Sequence, residues 1–329
     1  MSRSPSVSGP DYAEMMARYL GRAVMEAFED DDVAEVYVNP HDGRVRVDTH
    51  TRGRLDTGAT IATERLEMFL NTVATAHGLV IGPISPTLQA ELPATRFGGA
   101  RLQGFVPPAA SGVAVVIRKL PRQLVPLDSY VASGALPATW CDLLRQAVRD
   151  HLTIVIAGGT GTGKSTLLGS LLLEISIECP GERLVLLEDT VELTCPVGDH
   201  VALRTTPDLS LAALVKATLR ASPTRIVIGE VRDQAALDFL DAAVTGHPGG
   251  LCTVHAASAM GALARLDRLA QRANVPPQPA LVAEAVDLVV VLQGTGAARR
   301  VADLTRLSGL TPDGRYALHH STETGTWTA

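Results

Sequence analysis

Residues 155–168 read VIAGGTGTGKSTLL, and few folds can hold them. Gly158, four further residues, then Gly163, Lys164 and Ser165 match the pattern G-x-x-x-x-G-K-[ST]. The apolar run LTIVIA leads into the glycines, and Leu167, Leu168, Leu171, Leu172 and Ile175 follow at helical spacing, so strand, loop and helix are expected. Glycines let backbone N–H groups turn inward around phosphate oxygens, and the helix that follows aims its positive end at the same place. On this reading Gly158, Gly159, Thr160, Gly161, Thr162, Gly163, Lys164, Ser165 and Thr166 cradle a nucleotide. Lys164 pairs the β- and γ-phosphates and Ser165 ligates a divalent cation, which makes ATP and Mg²⁺ the expected cofactors.

From Leu152 onward the apolar runs LTIVIA, LVLL, IVI, LCTV and LVVVL alternate with amphipathic stretches. That alternation predicts an α/β domain whose mostly parallel sheet is covered on both faces. In such a sheet ligands gather outside the carboxyl ends of the strands. Three polar clusters follow apolar runs: LEDTVEL after 184–187, GEVRD after 226–228 and HAA after 251–254. They are expected to face one crevice with the glycine loop. Glu230 is placed to orient or deprotonate an attacking water. Glu188 and Asp189 are expected to hold Mg²⁺ through water, since a hard cation prefers oxygen ligands. The position before Glu230 is Gly229 rather than the aspartate of an ordinary Walker B strand, which gives those two acids more to do. Asp189 and Glu192 suit a helix cap or a solvated turn equally well. His255 and His247 fit either a contact to the γ-phosphate or a structural role.

Upstream the pattern changes. Residues 1 to about 10, rich in Ser, Pro and Gly, are expected to be disordered, and Met15, Tyr19, Ala23 and Phe28 give helical spacing over 11–28. VAEVYVN and RVRVDT alternate around PHDG and predict a hairpin. A helix is expected over 62–77, and two more strands at ARLQGFV and GVAVVIRK. The expected map is a smaller α+β N-terminal domain over 11–119, a proline-rich linker over 120–137, an ATPase domain over 138–309 and a turn with a polar tail over 310–329. The ATPase domain is expected to open on a helix at 138–149.

Composition narrows the function classes. With 46% hydrophobic and 19% charged residues, 329 residues are enough for two cored domains. A net charge of −6 and 4% aromatic residues argue against a nucleic-acid motor, which needs a basic field and stacking platforms. Cys141, Cys179, Cys195 and Cys252 form no C-x-x-C pair, which argues against a zinc site or disulfide framework. No stretch approaches the roughly 18 apolar residues of a membrane span, so a cytoplasmic protein attached to membrane only through partners is expected.

GGTGTGKST, LEDTVEL, RIVIGEVRD and TGHPGGLCTVHA resemble, in order, the Walker A, Asp box, atypical Walker B and His box of the type II/IV secretion (traffic) ATPases. The likeness spans about residues 11–309. Within the family it is closest to the conjugal-transfer ATPases of the TrbB kind, since the chain is short and lacks the tetra-cysteine module common in type II secretion relatives. The resemblance implies a RecA-like P-loop NTPase domain that hydrolyses ATP, with Glu230 as the catalytic acid and Lys164, Glu188 and His255 beside it. ELPATRFGGARLQGFVPP and VVIRKLP are similar to segments that bring arginines to nucleotide, so Arg101 and Arg118 are implied as phosphate contacts. A homo-hexamer is implied, working by ATP-driven domain motion on inner-membrane secretion channel and coupling components, with a DNA–protein substrate handled indirectly. Thr224 and Ser258 depart from residues more usual in relatives. The alternatives are a type II secretion or pilus-assembly ATPase, a nucleic-acid translocase, and a nucleotide-switched scaffold without turnover.

Overall fold

The computed structural model of the chain describes residues 11–120, 124–190, 192–206 and 208–328. The expected disorder over residues 1–10 lies outside the described residues, as do positions 121–123 of the expected linker. The chain divides into two compact units, Met1–Arg122 and Gln123–Ala329.

The first unit opens on α1 (Tyr12–Leu20) and α2 (Arg22–Glu29) rather than the single helix expected over 11–28. Gly21 separates them at φ +80°, a backbone conformation that side chains disfavour, and its N–H closes on the carbonyl of Ala17 at 2.9 Å. There follow β1 (Val33–Val38), β2 (Arg44–Thr49), β3 (Gly53–Thr60), α3 (Thr63–Ala76), β4 (Thr87–Glu91), α4 (Ala94–Phe97), β5 (Arg101–Phe105) and β6 (Ala114–Arg118). The strands form one antiparallel sheet in the order β3-β2-β1-β6-β5-β4. The two edge strands are additions to the four expected. β3 is exposed along nearly its whole length, so no apolar alternation marks it in the sequence. Phe69, Leu70 and Val73 of α3 share a core with Val36, Val45, Leu102 and Ile117 of the sheet. Contact is close enough that a Cβ on Gly104 would lie 2.5 Å from Leu70 Cδ2.

The second unit runs α5 (Leu127–Ala132), α6 (Ala138–Arg149), β7 (Ile154–Gly158), α7 (Lys164–Glu178), β8 (Arg183–Glu188), β9 (Asp199–Arg204), α8 (Leu211–Thr218) and β10 (Arg225–Ile228). It continues with α9 (Ala235–Val244), β11 (Leu251–Val254), α10 (Ala259–Ala270), α11 (Pro279–Ala285), β12 (Leu288–Gln293), β13 (Arg300–Leu310), β14 (Tyr316–Ser321) and β15 (Trp327–Thr328). These strands make a sheet in the order β15-β14-β13-β12-β7-β11-β10-β8-β9. From β12 to β9 every pairing is parallel; β13 to β15 add an antiparallel wing. The mostly parallel α/β sheet is therefore as expected. Its strands bury alternate residues in two cores: Val155 and Ala157 of β7 face one with α8–α11, and Ile154 and Ile156 face the other with α6 and α7.

Two expectations are corrected. Residues 127–132, placed in the linker, form α5: Pro126 precedes its first turn, Leu127 is fully buried, and Asp128 pairs with Arg145 of α6 at 2.8 Å. The expected tail after 309 begins with the anticipated turn, closed by Thr311 N–H on the carbonyl of Arg315 at 2.7 Å, but β14 and β15 then extend the sheet. Partly exposed, polar-rich strands of this kind show no apolar run in sequence.

Candidate active site

Parallel pairing sets β7, β11, β10 and β8 side by side, so the segments leaving their carboxyl ends emerge at one edge. The loop after β7 needs glycine at two positions, since Gly161 stands at φ +75° and Gly163 at φ +93°. Lys164 then opens α7 and is only 8% exposed. Its Nζ donates to the carbonyls of Gly158 (3.1 Å) and Gly159 (2.9 Å), folding the side chain back over its own loop. Burial lowers its affinity for the proton, while the charges of Glu230 and Glu192 oppose that shift.

His255, the first residue after β11, links this lysine to the acid beyond β10. Its Nδ1 lies 3.4 Å from Lys164 Nζ and its Nε2 lies 3.2 Å from Glu230 Oε1. An ammonium can only donate, so Nδ1 accepts and the ring proton sits on Nε2, directed at the carboxylate. Burial, with the lysine charge, holds His255 below the usual histidine range. Glu230 is steadied from the other side by Arg232, whose Nη2 donates to Oε2 at 2.8 Å. Burial pushes the Glu230 carboxyl up, but Arg232, then His255 and Lys164, outweigh it and keep it below the usual value.

Glu188 ends β8 and is only 5% exposed. Its Oε1 accepts from the N–H groups of Glu192 (2.8 Å) and Leu193 (3.0 Å). Burial outweighs these bonds and raises its pKa to about 7, with the Glu192 charge adding to the rise. Glu192 in turn accepts from Ser165 Oγ at 2.9 Å. Ser165, Glu188 and Glu192 thus bring only oxygen donors to one place, a set that suits Mg²⁺. Asp189 faces elsewhere: it accepts from Thr205 Oγ1 at 3.3 Å and lies 3.9 Å from Arg232 Nη1. The carboxylate on Ser165 is therefore that of Glu192, not Asp189.

Of the remaining expected residues, His247 lies apart from this cluster. His247 precedes β11 by a short turn, and β11 runs parallel to β7 with Leu251 opposite Ile154. This puts His247 at the amino end of the strand and His255 at the carboxyl end, which corrects the expectation that both reach the nucleotide. The Nδ1 of His247 is buried and has no hydrogen-bond partner among the described residues. Arg101 and Arg118 belong to the first unit and stand opposite each other on β5 and β6. They form part of a cross-strand row of charges, with Glu91 beside Arg101 and Glu35 beside Arg118, the latter pair at 3.9 Å. Arg232 was missed in the sequence, although its place two residues after Glu230 in GEVRD was the available signal.

Comparison with known proteins gives the same direction. Residues 83–305 match the family described as type II/IV secretion system protein. The chain is 37% identical over 311 residues to the probable conjugal transfer protein TrbB of Sinorhizobium fredii, covering 94% of each chain. It is 38% identical over 302 residues to the conjugal transfer protein TrbB of Rhizobium radiobacter, covering 92% of each. The fold is similar to the X-ray structure of the Legionella pneumophila ATPase DotB, with a TM-score of 0.60 at 20% identity, covering 96% of this chain and 82% of that one.

Proposed function

Because this chain belongs to the type II/IV secretion system protein family, we propose that it binds ATP at the Gly158–Thr166 loop and hydrolyses it with Glu230. It is an ATPase of the kind that serves type IV secretion and conjugal transfer. The observation that carries the site reading is the bridge from Lys164 through His255 to Glu230, which joins the phosphate-binding end of the site to its carboxylate.

In this reading the second unit is a RecA-like domain. Loop N–H groups and Lys164 hold the β- and γ-phosphates, and Glu230 accepts a hydrogen bond from the water that attacks γ-phosphorus. A carboxylate kept ionised by Arg232 suits orienting that water better than taking its proton early. The Nε2 proton of His255 faces Glu230, so imidazole and carboxylate stay aligned while charge builds on the phosphoryl oxygens. Ser165, Glu188 and Glu192 would hold Mg²⁺, which supplies countercharge to the phosphates. Arg101 and Arg118 are candidate anion contacts, two guanidinium groups side by side on adjacent strands whose planar forks suit phosphate oxygens.

The wider reading is a homo-hexameric ring that works on inner-membrane channel components, with a DNA–protein substrate served indirectly. Among the described residues no helix is long and apolar enough to cross a membrane. The test is phosphate release by purified protein with Mg²⁺. Glu230→Gln should bind ATP with near wild-type affinity while turnover falls at least about a hundredfold, the scale of a lost acid–base group. Unchanged turnover would remove Glu230 from the role.

A further inference from the structure

At the amino edge of the parallel strands, away from the phosphate loop, a second cluster of side chains comes together. His151 lies in the turn between α6 and β7, Cys179 caps α7, and Glu182 directly precedes β8. An imidazole nitrogen, the thiol sulfur and a carboxylate oxygen of these three residues all lie within 4.8 Å of one another. His151 Nε2 is 2.6 Å from Glu182 Oε1. Glu182 is buried, whereas His151 and Cys179 are half-buried, so solvent reaches two of the three.

The backbone holds this arrangement in place. Cys179, Pro180, Gly181 and Glu182 make a tight turn, closed by the Glu182 N–H on the Cys179 carbonyl at 3.1 Å. The spacing is that of a C-x-x-C metal turn, with a carboxylate where the second thiolate would stand. His151 sits at φ +55°, a left-handed conformation uncommon outside glycine, and its Cα would lie 3.3 Å from a Cβ on Gly249. Behind them Arg225 donates to both oxygens of Glu182, and its Nη2 lies 3.7 Å from Cys179 Sγ. Metal-ligating carboxylates are commonly oriented by an outer layer of hydrogen bonds of this kind.

We propose that His151, Cys179 and Glu182 form a binding site for a zinc-like divalent cation, with water in the fourth position. Nitrogen, sulfur and oxygen donors together suit a borderline-soft ion that accepts tetrahedral coordination, and the thiolate disfavours Mg²⁺ and Ca²⁺. Small side-chain rotations bring each donor to the roughly 2.0–2.3 Å that such an ion requires. On binding, the thiol gives its proton to solvent and the imidazole proton moves from Nε2 to Nδ1, which frees the Nε2 lone pair for the ion. The carboxylate and thiolate balance the two charges of the ion, while Arg225 keeps its bond to Glu182 Oε2. The ion would tie the segment leaving α6 to the end of α7. Since Lys164 opens α7, this braces the phosphate-loop helix from its far end.

The experiment titrates Co²⁺, a coloured stand-in for Zn²⁺, into the full chain without an affinity tag. Excess Mg²⁺ is present to occupy the oxygen-only set at Ser165, which a sulfur signal cannot come from. The expected result is a thiolate-to-cobalt absorption band that Zn²⁺ abolishes by displacement. Cys179→Ser should lose the band, and His151→Asn, which tolerates the left-handed backbone, should weaken Co²⁺ binding at least about tenfold. No band in wild type overturns the proposal, as does a band kept in Cys179→Ser or an unchanged affinity in His151→Asn. Saturating Zn²⁺ should also raise the urea unfolding midpoint of wild type and leave that of Cys179→Ser unmoved. Equal midpoint shifts in the two proteins would overturn the bracing role.

Discussion

A Cβ on Gly229 would lie 3.2 Å from Cγ and 3.4 Å from Oε1 of Glu188, so the two residues share one space. A side chain at the end of β10, where a Walker B strand ordinarily carries an acid, would press on Glu188 of the neighbouring strand β8, which would have to give by a few tenths of an ångström.

The arrangement has a cost in the absence of a cation. The Glu188 carboxyl titrates near 7 in the folded chain and near the ordinary 4.5 when unfolded. Its stabilising contribution is fully present below the unfolded value and is lost as pH rises through about 7, where the buried group must ionise. Glu188→Gln keeps an oxygen for the two N–H donors and removes the charge. Without Mg²⁺ or nucleotide the variant is expected to be more stable than wild type at about pH 8, by up to about 3 kcal/mol, and to lose that margin by about pH 5. Urea unfolding in a chelating buffer measures it; equal margins at both pH values would contradict the buried-charge account.

Arg232 is expected to set the acid limb of turnover. It is the main group holding Glu230 ionised against burial. Arg232→Ala should let the carboxyl rise, so kcat/KM, which reports ionisations of the free enzyme, falls off at higher pH than in wild type. Superimposable pH profiles would show that Arg232 does not act through Glu230.

At the opposite edge of the sheet, Arg225 is 0% exposed and bonds both oxygens of Glu182 and the carbonyls of Val148 (2.6 Å) and Gly249 (3.3 Å). Arg225→Ala leaves Glu182 with His151 as its remaining cation partner, at 2.6 Å, and should lower unfolding stability by about 3–5 kcal/mol. The pair Arg225→Leu with Glu182→Leu should recover most of that loss. Denaturant melts of the two variants decide it: a double variant no better than the single one would rule out the stranded charge as the cause.

What the sequence revealed follows burial. β7, β8, β10, β11 and β12 are apolar runs because both faces of each are covered, and all five were legible. β3 and β9 lie at sheet edges, largely in solvent, and leave no apolar trace. α5 was hidden by its prolines, although Pro126 precedes the helix rather than breaking it. In the site, the glycine loop, Glu188, Glu230 and His255 could be read because each follows a strand of the parallel set. The choice of Glu192 over Asp189 could not, since both lie in one loop and only its path decides which meets Ser165. His247 was misplaced because its motif straddles β11, whose two ends look the same in a sequence and open on opposite edges of the sheet.

The wing beyond β12 bears on how the protein can be handled. Trp140 Nε1 donates to the carbonyl of Thr322 at 2.8 Å and Thr139 bonds Glu323, so the final hairpin is fastened to the start of α6, which packs on α7. Trimming the chain to a catalytic fragment at 310 would unfasten the helix that backs the phosphate loop. An affinity handle spliced into β14 or β15 would do similar harm; a handle joined at the amino terminus leaves that fastening intact.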